Sequence, residues 1–113
     1  MPSDARLPSA LFVAAHIRRC EALGLSAFLR HRGTCEAGSI LLKISYLRDG
    51  VRLLEMTTAI TGSRAWMRIG GPAPLEDAKA EDMIAGRLAH DPDLWVLEIE
   101  DPKGAYMLDE PVI

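Results

Sequence analysis

The sequence predicts an α+β fold: a single compact domain over residues 1–113, with a mainly antiparallel sheet packed against one or two helices. Three observations predict it. Several short alternating segments follow one another through the middle of the chain, and their connections are too short for a crossover, which makes neighbouring strands antiparallel. Ala80, Ile84 and Leu88 recur at helical spacing, with Met83 alongside. The run His90-Asp91-Pro92-Asp93-Leu94-Trp95-Val96-Leu97-Glu98-Ile99-Glu100-Asp101 stops a helix, turns and starts a strand. Proline lacks the amide donor and pushes its predecessor out of the α region.

Taken in order, residues 9–23 read as a helix, with Ser9 as N-cap and Gly24 as the left-handed residue after the last turn. Val13, Ile17 and Cys20 then share a stripe. A strand over 11–19 is the competing reading, and the helix is preferred. Residues 26–32 read as a strand with Phe28, Arg30 and Arg32 on one side and Ala27, Leu29 and His31 on the other. Gly33 to Gly38 is a turn. Residues 39–48 form the clearest strand, with Ile40, Leu42, Ile44 and Tyr46 on one face. Asp49-Gly50 predicts a type I′ hairpin turn into a partner strand at 51–58. Gly62-Ser63 marks another turn. In the strand at 64–69, Ala65, Met67 and Ile69 lie opposite Arg64, Trp66 and Arg68.

Pro74 suits the first turn of a helix over 75–89, whose early acids Glu76, Asp77, Glu81 and Asp82 complement the positive end of its dipole. The last strand covers 94–100, with Trp95, Leu97 and Ile99 on one face and Val96, Glu98 and Glu100 on the other. The expected core joins Trp95, Leu97 and Ile99 to Ile84 and Leu88. Lys103-Gly104 then turns the chain into its tail.

Three of these tracts carry a resemblance. Leu11-Phe12-Val13-Ala14-Ala15-His16-Ile17-Arg18-Arg19, then Glu36-Ala37-Gly38-Ser39-Ile40-Leu41-Leu42-Lys43-Ile44, then the Asp91-Pro92-Asp93-Leu94-Trp95 tract with the strand behind it, resemble the alphaproteobacterial family called domain of unknown function 1491. Asp91-Pro92-Asp93-Leu94-Trp95 is the most specific piece, and the middle of the chain is the weakest. The resemblance implies a small soluble single-domain bacterial protein. It transfers no activity and no catalytic residue.

Composition narrows the class further. A chain of 113 residues, 49% hydrophobic and 26% charged, is long enough for a core without disulfide staples. Cys20 and Cys35 are too few for a disulfide framework and read as reduced thiols of a cytoplasmic protein. No apolar run reaches the length of a membrane span. The net charge of −3 hides a split: eight Lys/Arg against four Asp/Glu in residues 1–54, and five against twelve in 55–113. The preferred explanation is that the two halves face each other and neutralise.

Four constellations can carry chemistry. His16 and Cys20, with His31 and Cys35, repeat a His-x-x-x-Cys spacing that could complete a tetrahedral zinc site. Surrounding arginines and the absence of a Cys-x-x-Cys knuckle argue against it, and no metal or cofactor is expected. Cys20 or Cys35 beside a histidine could act as a nucleophile. Glu98 and Glu100, two residues apart on one strand face, could serve as an acid–base pair, although a charge ladder with Arg30, Arg32 and Lys43 explains them better. Gly-x-Gly-x-x-Gly, Walker and nucleophile-elbow motifs are absent.

The fourth constellation is an anion or partner patch made by Arg18, Arg19, Arg30 and Arg32. Nucleic acid is disfavoured as its partner, because few aromatics accompany the arginines and the pI is about 5.5. The expected function is therefore a non-catalytic interaction or small-ligand module. Its partner is an unidentified protein or small molecule, a homodimer being one arrangement open to it. An enzyme using a turn cysteine or the Glu98/Glu100 pair is the alternative, and a nucleic-acid-associated factor is the third reading.

Overall fold

The computed structural model describes residues 8–34 and 38–113. The elements run α1 (Ser9–Ala22), β1 (Ser26–His31), β2 (Ile40–Ser45), a 3-10 turn (Leu47–Asp49), β3 (Val51–Thr58), β4 (Arg64–Ile69), α2 (Asp77–His90) and β5 (Trp95–Glu100). Residues 9–22 are helix, not strand. Five strands form one sheet in the order β1-β5-β2-β3-β4. β1–β5, β2–β3 and β3–β4 pair antiparallel, and β2–β5 pair in parallel. The fold is α+β with a mixed, mainly antiparallel sheet.

Local chemistry explains how α1 ends. Gly24 takes φ +79°, its N–H donates to Glu21 O at 3.0 Å, and Leu25 N–H donates to Cys20 O at 2.9 Å. These are the two bonds of a Schellman stop. The other end departs from expectation. Pro8 occupies the cap position, and the Ser9 hydroxyl donates to the Gly38 carbonyl instead of to its own helix. That bond ties α1 to the segment entering β2.

The β2–β3 hairpin also departs from the two-residue type I′ turn. Positive φ falls on Leu47 (60°) and Gly50 (98°), not on Asp49 and Gly50. Ser45 is the last residue of β2 and pairs with Val51, so 46–50 form a longer loop, closed by Tyr46 N–H to Gly50 O at 2.8 Å. A longer loop lets Val51 exchange backbone bonds with Leu75, which lies against the same turn.

The two helices lie on opposite faces of the sheet. Phe12, Val13 and Cys20 of α1 pack with Ile40, Leu42, Ile44, Trp95, Leu97 and Ile99. Ala80 and Ile84 of α2 pack with Leu41, Leu53, Leu94 and Val96, with Leu88 at the margin. The expected union of Trp95, Leu97 and Ile99 with Ile84 and Leu88 is therefore corrected. The strand facing is right, but the helix assigned to it is wrong. Alternation decides which residues share a side, whereas the path of α2 from edge strand β4 back to β5 decides which side it covers. With a helix on each face, the parallel pair is enclosed, and every residue of β2 is buried, Lys43 included.

Candidate functional site

Burial of Lys43 organises the α2 face. Its Nζ lies 2.7 Å from Asp77 Oδ1, 2.6 Å from Glu81 Oε2 and 3.6 Å from Glu98 Oε1. Arg30 donates to Glu81 at 2.6 Å and to Glu98 at 2.6 Å. Burial opposes the charge on Lys43, but the hydrogen bonds to Asp77 and Glu81 and the field of Glu98 outweigh it, and its pKa stands above the ordinary lysine value. Hydrogen bonding to Arg30, with Lys43 behind it, pulls the Glu81 carboxyl down to about 2. Among the described ion pairs, only Arg87–Glu55 does not join the basic first half to the acidic second half. Glu98 thus belongs to a charge ladder.

The four arginines read as one patch have different surroundings. Arg30 is held on the α2 face. Arg19 pairs with Asp109 at 2.6 Å and donates to Met107 O at 3.1 Å, alongside α1. The Arg32 guanidinium sits 5.4 Å from the Trp95 ring centroid, and Arg18 is exposed on α1. The histidines of the zinc reading also have separate partners. His16 Nε2 hydrogen-bonds the Tyr106 hydroxyl, and His31 Nδ1–H donates to Leu94 O at 2.8 Å. Cys35 lies outside the described residues. Among the described residues, no three His, Cys, Asp or Glu side chains are grouped to hold a metal. Cys20 is fully buried, and burial raises its thiol pKa, so the nucleophilic thiolate is disfavoured there.

What the linear reading did not place is the tail. Asp101, 1% exposed, directly follows β5 and accepts from Ala105 N–H at 2.8 Å and Tyr106 N–H at 3.0 Å. These bonds turn residues 105–113 back across the α1 face as a strap. Three further contacts hold it: His16 with Tyr106, Arg19 with Asp109, and Trp66 Nε1–H donating to Glu110 at 3.0 Å. The strap ends by bridging β4, where Trp66 N–H donates to Pro111 O and Ile113 N–H donates to Trp66 O, both at 2.8 Å.

Between strap and sheet lies a groove of about 280 Å³. Ile44 and Leu54 contribute apolar surface from β2 and β3, Tyr46, Arg52 and Arg68 line it from the sheet side, and Tyr106, Leu108 and Glu110 line it from the strap. Arg52 donates to Pro72 O at 3.2 Å. Arg68 has no hydrogen-bond or ionic partner among the described residues. Two guanidinium groups beside aliphatic and phenolic surface suit an amphipathic anion. Arg68 and Trp66 were legible as sharing a strand face, but nothing local announced that the tail would roof that face.

The family model for the protein of unknown function DUF1491 matches residues 7–109. The chain belongs to the DUF1491 family. The crystal structure of a DUF1491 family protein from Caulobacter crescentus CB15 is similar at 35% identity and TM-score 0.83, over 95% of this chain and 99% of that one. An NMR structure of a DUF1491 family protein from the same organism is similar at 33% identity and TM-score 0.79, over 95% and 96%. The solution structure of protein Atu0922 from A. tumefaciens is similar at 27% identity and TM-score 0.72, over 85% and 86%. No curated protein matches the chain. In this DUF1491 chain, no helix among the described residues is long and apolar enough to cross a membrane.

Proposed function

We propose that this chain is a non-catalytic binding module of the cytoplasm that takes a small amphipathic organic anion in the groove beneath the C-terminal strap. The observation that carries the reading is Arg68, a cation without a partner among the described residues, lining with Arg52 a cavity that includes Ile44 and Leu54. An aliphatic body covers the apolar surface, and a carboxylate, sulfonate or phosphate takes the guanidinium N–H donors. Arg19 and Arg30, already ion-paired, contribute less to ligand capture than the sequence suggested. The cavity is small, so the ligand is small. The 12 or so non-hydrogen atoms of an anion such as decanoate, at about 0.3 kcal/mol each, correspond to a Kd on the order of 2 mM.

The test is an NMR titration of the labelled protein with decanoate. Saturable shifts at Leu54, Arg68 and Leu108, weakened by Arg68→Met and strengthened by Glu110→Gln, support the reading. Shifts scattered over the surface, or none, overturn it.

A further inference from the structure

A second cavity, of about 350 Å³, opens where the parallel strands β2 and β5 end, and it is lined by Tyr46, Asp49, Arg52, Pro74, Lys103 and neighbouring turn residues. It shares Tyr46 and Arg52 with the groove under the strap. Crevices beyond the carboxyl ends of parallel strands are a recurrent place for ligands, because the connecting loops diverge there. Two turns frame this one. Gly104 N–H donates to Asp101 O at 3.2 Å and holds the turn that carries Lys103. At the opposite rim Gly50, with φ +98°, packs so closely that a Cβ on it would meet Pro74 and the Leu75 carbonyl.

We infer that the two cavities form one trough, and that its ligand is an elongated dianion with an apolar middle. The inference rests on the reading of the groove as an anion site. One anionic group pairs with Arg68, the apolar body lies along Leu54, Ile44 and Tyr46, and the second group reaches Lys103. Arg52 lies between the two cavities, steadied by the Pro72 carbonyl. Along the trough, Arg52, Arg68 and Lys103 outnumber Asp49 and Glu110. A net positive trough in a chain of net charge −3 is a local departure from the overall field. Asp49 and Glu110 line the trough together with the cations and disfavour a ligand of higher negative charge.

The experiment compares decanoate with decanedioate by the same NMR titration, with hexanedioate as a short control. Decanedioate is expected to bind about five-fold more tightly than decanoate, the order of effect that one partly exposed ion pair supplies. It alone should shift Lys103 and Gly104, and Lys103→Met should bring it down to the decanoate value. Hexanedioate, four methylenes shorter than decanedioate, should show no such gain. Equal affinities for decanoate and decanedioate, with shifts confined to the strap groove, overturn the trough and leave the groove standing. A dianion advantage that survives Lys103→Met also overturns it. Failure of every probe to bind overturns both.

Discussion

Lys43 Nζ lies 2.6 Å from Glu81 Oε2, and this contact joins central strand β2 to helix α2 across one face of the sheet. The lysine side chain is 4% exposed, Glu81 36% and Asp77 68%, so the cation is enclosed while two of its carboxylates reach water. Lys43→Met leaves Glu98 with Arg30 alone. It is expected to destabilise the protein by about 2–3 kcal/mol, less than a fully buried pair would lose because Asp77 and Glu81 are partly solvated. Denaturant unfolding measures this. Adding Glu98→Gln to Lys43→Met should recover part of the loss, since it removes the carboxylate left behind.

The same cluster sets an acid limit. Glu81 is held at about 2, below its ordinary value of 4.5. A group depressed by folding adds stability above its unfolded pKa and loses that contribution as pH falls through the folded one. The Glu81 contribution should therefore be complete above 4.5 and decline towards 2. Glu81→Gln should flatten the stability profile across that window. An unchanged slope would remove Glu81 from the account.

The strap should respond to pH in a different range. Burial lowers the pKa of His16, with Arg19 acting in the same direction and Glu110 and Asp109 opposing. His16 stacks on Phe12 and meets Tyr106 edge-on. A folded pKa below the unfolded value of 6.5 means that docking is strongest above 6.5 and weakens as pH falls from there towards the folded pKa. Hydrogen exchange at Tyr106 and Ile113, corrected for intrinsic rates, should show protection falling across that range. Tyr106→Phe should lower protection of the strap throughout.

Leu97→Ala should cost about 2–5 kcal/mol, the usual range for a buried leucine. Leu97 is fully buried on the α1 side, and Ile84 lies on the α2 side. Because the sheet separates them, Leu97→Ala and Ile84→Val should add within about 0.5 kcal/mol. Strong coupling in a double-mutant cycle would contradict the two-faced core.

Gly33→Ala should be poorly tolerated although the position lies in a loop. A Cβ there would collide with the Asp93 carbonyl and the Trp95 indole. Neither can yield without moving the start of β5, and a loss of about 1–3 kcal/mol is expected. Gly71→Ala is a control for crowding: a Cβ there meets nothing nearby, so its cost should come from its φ of +94° alone.

Strand facing, the C-terminal stop of α1 and the opposite charge of the two halves were legible in the sequence because each is read from a local run of residues. The strands expected at 51–58 and 64–69 coincide with β3 and β4, and Gly24 stops α1 as its freedom at positive φ allows. The opposite charges of the two halves meet as expected in Arg30, Lys43, Glu81 and Glu98. Only the tertiary structure decided that β5 inserts beside β2 in parallel, pairing Lys43 with Glu98, 55 positions further along the chain. It also decided that α1 and α2 take opposite faces, and that Asp101 turns the tail over Arg52, Arg68 and Trp66. The physical reason is the same in each case. A periodic pattern specifies that a face will be buried, but the choice of what buries it is made by long-range pairing, whose free energy no single segment contains.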